Sequence, residues 1–179
     1  VLLAGMAAFA MVRYRFRGRR FLDSLIIASL MFPVFSTIIP VFQMLSAINV
    51  TDSPVGVILP QIAGNLSFAM VILMGYIRGL PVDLEESAFL EGCNVFQVFY
   101  KVILPVCRPA FATVAIFSFL WSYNDLFTQL FFLRSPEKWT ITRFLNEVSS
   151  QFGTDYGMMC AVVTLIFVPV MIVYVFLQK

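Results

Sequence analysis

Few of the 179 residues could do chemistry. There is no histidine, which removes the commonest general base. The three cysteines, Cys93, Cys107 and Cys160, show no CxxC spacing, so they read as inert thiols and imply neither zinc nor redox chemistry. No GxxxxGK[ST] run is present, so the chain lacks the loop that cradles a nucleotide's phosphates. Two polar groupings remain. One is the stretch ESAFLEGCNVFQVFYKVILP (86–105), which follows Asp83 and Glu85 and holds Glu86, Glu91, Gly92 and Pro105. The other is Ser118, Ser122, Asp125 and Gln129, flanked by Trp121, Asn124 and Thr128 in an apolar run. At 100° per residue those four fall on one helical stripe about 60° wide.

Each grouping admits more than one role. A carboxylate within an apolar helix is expensive to bury and usually faces a bundle interior or a wet cavity. The stripe could line a solute path. It could equally serve helix–helix hydrogen bonding, or sit near the outer interface where Asp125 is easily solvated. In the other grouping, Asp83 is placed to cap a helix, with Glu86 at its third position reaching back as in a capping box. Asp83, Glu85 and Glu86 all fall in the first turn, where the macrodipole favours negative charge. Gly92 is placed to end that helix in a left-handed turn. Residues 94–101 then read as a second short helix, with Asn94, Gln97 and Lys101 on one face and Val95, Phe96 and Phe99 on the other. Pro105 marks a boundary before the next apolar run. The expected element is a helix–turn–helix hairpin over 83–105, outside a bilayer. It is either an interfacial anchor or a docking surface.

The bilayer follows from composition. The chain is 60% hydrophobic and 12% charged, with a mean hydropathy of +0.91. Soluble domains average about 45–50% apolar and about 25% charged. An all-α polytopic transmembrane helix bundle is the expected class, forming a single domain over 1–179. Spans are expected over about 1–12 (partial), 24–48, 56–77, 110–132 and 157–177. The second is interrupted by Pro33 and Pro40, which a membrane helix tolerates when neighbours satisfy the freed carbonyls. The loop 49–54 is short and turn-rich, and its Asn49 sequon is discounted. The loop 134–156 is polar, with Trp139 and Tyr156 suited to an interface. Alternating crossings put nine basic residues (13–20, 78–108 and Lys179) on one side and three (Arg134, Lys138, Arg143) on the other. The positive-inside rule makes the first side, and with it 83–105, cytoplasmic. Arg13, Arg15, Arg17, Arg19 and Arg20 lie between apolar spans, which argues against a nucleic-acid patch. The chain starts in mid-helix and ends abruptly, so it reads as a fragment cut at both ends.

The spacing Glu86-Ser87-Ala88, two residues, Glu91-Gly92-Cys93, five residues, Phe99, two residues, Val102, one residue, Leu104-Pro105 closely resembles the EAA motif of permease subunits of ABC importers, EAA-x2-DGA-x5-F-x2-I-x-LP. Ser87, Glu91, Cys93 and Val102 are its departures. RYRFRGRR (13–20), Ala47–Pro60, Tyr76–Ala88 and WSYNDLF (121–127) resemble the carbohydrate-uptake branch of the same family, so the likeness covers essentially the whole chain. Members usually have six spans; here the first and part of the second would be missing.

The resemblance implies a type I importer permease in a bacterial cytoplasmic membrane. It also implies that the hairpin is a coupling helix pair docked on a separate ATPase. Glu86, Ser87, Ala88, Glu91, Gly92, Phe99 and Pro105 would form the coupling element. Glu86 would be a contact, a cap or both. ATP and magnesium would be bound by the partner ATPase dimer and no cofactor by this chain. A second permease subunit, forming a heterodimer with this one, and an extracytoplasmic solute-binding protein would complete the assembly. Ser118, Trp121, Ser122, Asn124, Asp125 and Gln129 would line the path, with Trp121 able to stack on a sugar ring. An ion-driven secondary transporter would need more intramembrane ionisable residues. An intramembrane enzyme would need a nucleophile–base pair or metal ligands. A permease for a non-carbohydrate solute remains an alternative.

Overall fold

The computed structural model describes residues 1–151 and 156–177, apart from the side chains of Val34, Ser149, Ser150, Gln151 and Leu177. Lys179 and part of the polar loop, residues 152–155, lie outside these. The described residues are helical, with no strand among them. The chain forms two compact units, Val1–Pro33 with Ala63–Ser118, and Val34–Ile62 with Phe119–Lys179.

The first unit holds α1 (Leu2–Arg13), α2 (Arg19–Ser29), most of α4 (Pro54–Arg78) and α5 (Asp83–Leu90). It also holds α6 (Val95–Val98), a π-helical turn (Phe99–Ile103), α7 (Leu104–Val106) and most of α8 (Arg108–Asn124). Its core gathers Ala4, Ala8 and Phe9 of α1, Leu73 and Ile77 of α4, Phe99 and Ile103 of the π turn, and Val114 of α8. Small residues on α1 permit close approach, as is usual where helices pack in lipid. Gly5 is the tightest point: a Cβ there would lie 2.3 Å from Cζ of Phe111.

The second unit holds α3 (Val34–Ala47), α9 (Leu126–Phe132), α10 (Ile141–Gln151) and α11 (Tyr156–Leu177), with the start of α4 and the end of α8. Ile38, Leu45, Val57, Phe132 and Leu133 form its core. Phe42 stacks on Phe132 at 5.9 Å, and Phe35 meets Phe127 edge-on at 4.8 Å.

Two helices, Pro54–Arg78 and Tyr156–Phe176, are long and apolar enough to cross a membrane unaided. The segment read as one span over 24–48 is two helices, α2 and α3. Pro33 has no N–H to donate and pushes Phe32 out of the helical region, so α2 stops and α3 starts after it. The segment read as a span over 110–132 is likewise broken, at Asp125. Val95–Val106 and Arg108–Asn124 together could make one span, but they meet at an angle of 81°. That bend falls at Cys107, two residues beyond Pro105, which itself lies inside α7. Pro105 is tolerated there because it sits within the first turn of α7, where an N–H has no obligatory partner.

Candidate functional site

The hairpin forms, with different capping from that expected. Val82, not Asp83, holds the cap position of α5 and makes no side-chain cap bond. Its carbonyl accepts the amides of Glu85 and Glu86, at 2.9 and 3.1 Å. Asp83 is therefore already helical, and the capping box expected between it and Glu86 is not made. The three first-turn carboxylates keep their favourable place at the positive end of the helix.

The far end of α5 closes as a Schellman turn. Gly92 adopts φ +86°, its amide donates to the Phe89 carbonyl at 3.0 Å, and that of Cys93 donates to Ala88 at 3.0 Å. The capping box sits at the next helix instead. The Gln97 amide donates to Asn94 Oδ1 at 2.9 Å, and the Asn94 amide donates to Gln97 Oε1 at 2.8 Å. Glu91, Gly92, Cys93 and Asn94 thus make the whole connection between two hydrogen-bonded helix ends.

This geometry sorts the motif residues. Ala88 and Phe99 are buried in the core of the first unit, whereas Glu86, Ser87, Glu91, Gly92 and Pro105 are exposed. Phe99 does not share a face with Val95 and Phe96. It is 2% exposed, whereas they are 42% and 63% exposed. Phe99, Ile103 and Cys107 are all buried, and the π turn Phe99–Ile103 adds a residue to the helical repeat beyond Phe99. Leu90, at 90% exposed, caps the outer face beside Phe89.

Sequence reasoning missed the inner anchor of α5. Glu85 is 4% exposed, and its Oε1 accepts from Arg13 Nε at 2.5 Å. The Arg13 Nη2 donates to the Leu80 carbonyl at 3.0 Å. One signal was legible: Glu85 lies one turn before the buried Ala88, on the helix's inner face.

Of the second polar grouping, Ser122 and Gln129 line a cavity of about 370 Å³ in the second unit; Ser118, Trp121, Asn124, Asp125 and Thr128 are not among its lining residues. Its polar lining includes Gln61, Ser122, Tyr123, Gln129, Thr140 and Thr142. The stripe does not run straight through. Asp125 leaves the helix and caps α9, accepting the Thr128 amide at 3.0 Å. An aspartate competes with the backbone for hydrogen bonds, which is why it favours a cap over a helix interior. Gln61 joins the pieces: its Nε2 donates to Asp125 Oδ2 at 2.9 Å, and its Oε1 accepts from Ser122 Oγ at 2.7 Å. The Thr140 hydroxyl donates to Gln129 Oε1, and Gln129 is buried. Ser122, Asp125 and Gln129 are therefore brought together. Trp121 and Asn124 are exposed, Asn124 donating to the Leu120 carbonyl at 2.8 Å, and Ser118 belongs to the first unit. Gln61 was not foreseen; a polar residue one position after Pro60 in an apolar helix was the available sign.

The edge of this region is fastened by Asp52, in left-handed backbone at φ +54°. Its carboxylate accepts from the Ser135 hydroxyl at 2.5 Å, the Ser135 amide at 3.0 Å, the Arg134 amide at 2.8 Å and Lys138 Nζ at 3.1 Å. The Ser135 hydroxyl and amide, then the Arg134 amide, hold its carboxyl well below the usual carboxylate range. Among the described residues no group of histidine, cysteine, aspartate or glutamate side chains could hold a metal ion.

Comparison with known proteins places this arrangement. The chain is 34% identical to the diacetylchitobiose uptake system permease protein NgcG of Streptomyces coelicolor, covering 100% of this chain and 60% of that protein. It is 32% identical to the arabinooligosaccharides transport system permease protein AraQ of Bacillus subtilis, covering 98% of this chain and 62% of that protein. It thus spans about three fifths of the length of these curated relatives. A chain from the crystal structure of a bacterial ABC transporter involved in the import of the acidic polysaccharide alginate has the same fold, with a TM-score of 0.83 at 23% identity over 99% of this chain and 67% of that one. All 179 residues match one family, and the chain belongs to it: the binding-protein-dependent transport system inner membrane components.

Proposed function

We propose that this chain is the core of a permease subunit of an ATP-driven importer for a sugar or sugar-like solute in a bacterial cytoplasmic membrane. The hairpin 83–105 faces the cytoplasm and docks on a separate ATPase, which binds the ATP and magnesium. A second permease subunit and an extracytoplasmic binding protein complete the assembly. The observation that carries this reading is the division of the motif between the hairpin's two faces. Ala88 and Phe99 are buried in the permease, while Glu86 and Glu91 stand outside with the apolar Leu90 and Phe96. An exposed apolar knob rimmed by carboxylates suits a protein partner better than water. The named solutes of the relatives, diacetylchitobiose and arabinooligosaccharides, support the carbohydrate class.

Co-purification from membranes tests the docking. The ATPase subunit should be recovered with the wild-type permease and lost with Glu86→Lys or Gly92→Pro. Proline cannot adopt φ +86° and would also delete the amide that closes the turn. Retention of the ATPase by both variants refutes docking.

The solute path is assigned to the grouping around Ser122, Asp125 and Gln129 in the second unit, with Trp121 and Asn124 as further lining positions. Amide and hydroxyl groups beside a cavity suit a neutral, hydroxyl-rich solute. Uptake should fall in Ser122→Leu and Asp125→Leu variants that still assemble; unaltered uptake in both sinks this assignment.

A further inference from the structure

Arg13 and Glu85 single themselves out by what their neighbours do. Four further arginines follow Arg13 within seven residues, and Arg15, Arg17 and Arg20 are exposed. Arg13 is turned inward, its side chain 12% exposed. Asp83, Glu86 and Glu91 are exposed, and Glu85 alone of the hairpin's carboxylates is turned inward, its side chain 5% exposed. The two inward groups meet at 2.5 Å, and the second arm of the guanidinium takes the Leu80 carbonyl at 3.0 Å. A fork that grips a carboxylate and a carbonyl fixes orientation as well as distance, which a lysine could not do.

The pair also sits where a tie matters. Arg13 is the last residue of α1, Glu85 is in the first turn of α5, and Leu80 lies in the connection between α4 and α5. Further along α1, Phe9 meets Phe99 of the π turn at 5.8 Å, and Ala4 and Ala8 belong to the same core as Ala88 of α5 and Ile103 of the π turn. The hairpin is thus held to α1 at both ends of the contact, by aromatic packing at one and by charge at the other.

We infer that Arg13 is a positioning residue that locks the hairpin to α1, so that displacement of the hairpin is delivered to α1 rather than absorbed in the connection around Leu80. This rests on the docking reading above. Glu86 faces outward to the partner, and Glu85 faces inward to the chain's own span. Buried ion pairs add little net stability but are costly to break on one side. Their use as registry devices is the better attested one, and it fits a hinge between a docking element and a span.

The test uses the assembled transporter with its full-length permease. Cys93, Cys107 and Cys160 are replaced by alanine, and spin labels are placed at Leu3→Cys on α1 and Leu84→Cys on α5, which are 69% and 41% exposed. Label-to-label distances are measured with and without ATP and magnesium, using an ATPase subunit unable to hydrolyse ATP. The wild-type pair should give one narrow distance that is the same in both states. Arg13→Met and the double variant Arg13→Met/Glu85→Met should give a broadened distance that shifts when ATP binds. The double variant leaves no unpaired buried charge, so it assembles even if the single one does not. A double variant indistinguishable from wild type in both states overturns the lock. So does a wild-type distance that itself shifts with ATP, and so does loss of the ATPase from the double variant, which would make Glu85 a docking contact. Failure of the docking reading shows separately, as absence of the ATPase from the wild-type preparation before any variant is made.

Discussion

Two regions of this chain each hold a carboxylate among apolar helices, and they treat it differently. In the first unit Glu85 meets a full opposite charge, Arg13, and is 4% exposed. In the second unit Asp125 is half-buried and bound by neutral donors, Gln61 and the Thr128 amide. An ion pair is held in one geometry, because separating it strands both charges. A neutral network of amides and hydroxyls can exchange partners one bond at a time. The first arrangement suits the proposed lock between hairpin and α1, the second the proposed solute path.

The largest effect should come from breaking that difference directly. Glu85→Gln leaves Arg13 buried without its counter-charge, and such losses cost about 3–5 kcal/mol. Asp125→Asn keeps the acceptor for the Thr128 amide; its Nδ2 can donate to Gln61 once the Gln61 amide turns over and the Ser122 hydroxyl accepts instead of donating, so its cost should be about 1 kcal/mol or less. Melting temperatures in detergent at one fixed scan rate should fall markedly for the first variant and much less for the second. Equal shifts would erase the distinction between the two regions.

Gly5 sharpens the first half of the comparison. Valine there would drive its Cβ into the Phe111 ring, and overpacking of this kind costs about 1–3 kcal/mol. Gly64, in α4, has nothing within 4 Å of a Cβ, so Gly64→Ala should instead raise the melting temperature, by the equivalent of about 0.5–1 kcal/mol. A Gly5→Val protein as stable as wild type would mean that α1 and α8 are not closely packed at this level.

Asp125→Leu probes the second half. It removes the cap of α9, a loss of about 1 kcal/mol, and leaves Gln61 without its acceptor. The melting temperature should fall less than for Glu85→Gln. A larger fall would show that Asp125 is the more deeply committed carboxylate.

What the sequence disclosed follows a physical line. Gly92, the exposed Glu86 and the helix–turn–helix form were legible because turn chemistry is local: a left-handed residue and the amides around it lie within a few positions. The helical, apolar character was legible from composition. The capping box was sought at Asp83 and occurs at Asn94, because Pro81 and Val82 start the turn one residue earlier than the carboxylate suggests. The π turn over Phe99–Ile103 is not anticipated by any periodicity of 3.6 residues. The Arg13–Glu85 pair and the Gln61 bridge join residues 72 and 64 positions apart or, for Gln61 and Ser122, 61 apart. Such pairings are set by tertiary packing, and helical spacing carries no record of them.

The smallest effect concerns Asp52, a third carboxylate, which lies outside the expected spans and is held by one lysine and several neutral donors. Its carboxyl titrates below the usual range because the Ser135 and Arg134 donors bind its charged form. A lowered folded-state pKa contributes stability that is complete above the unfolded value of about 3.9 and is lost as pH falls through the folded one. Trp139, one residue beyond Lys138, reports on this segment once Trp121 is replaced by phenylalanine, because the chain has two tryptophans. The Asp52 component of any change in its emission should be absent from neutral pH to about 4 and appear only below that. Glu137 lies in the same turn, and Glu147 pairs with Arg143, which stacks on the Trp139 ring at 4.4 Å. Both remain in Asp52→Asn, so only the Asp52 component of the acid shift should vanish there. An acid shift of the same size and midpoint in that variant would mean that the glutamates, and not Asp52, hold this edge of the cavity.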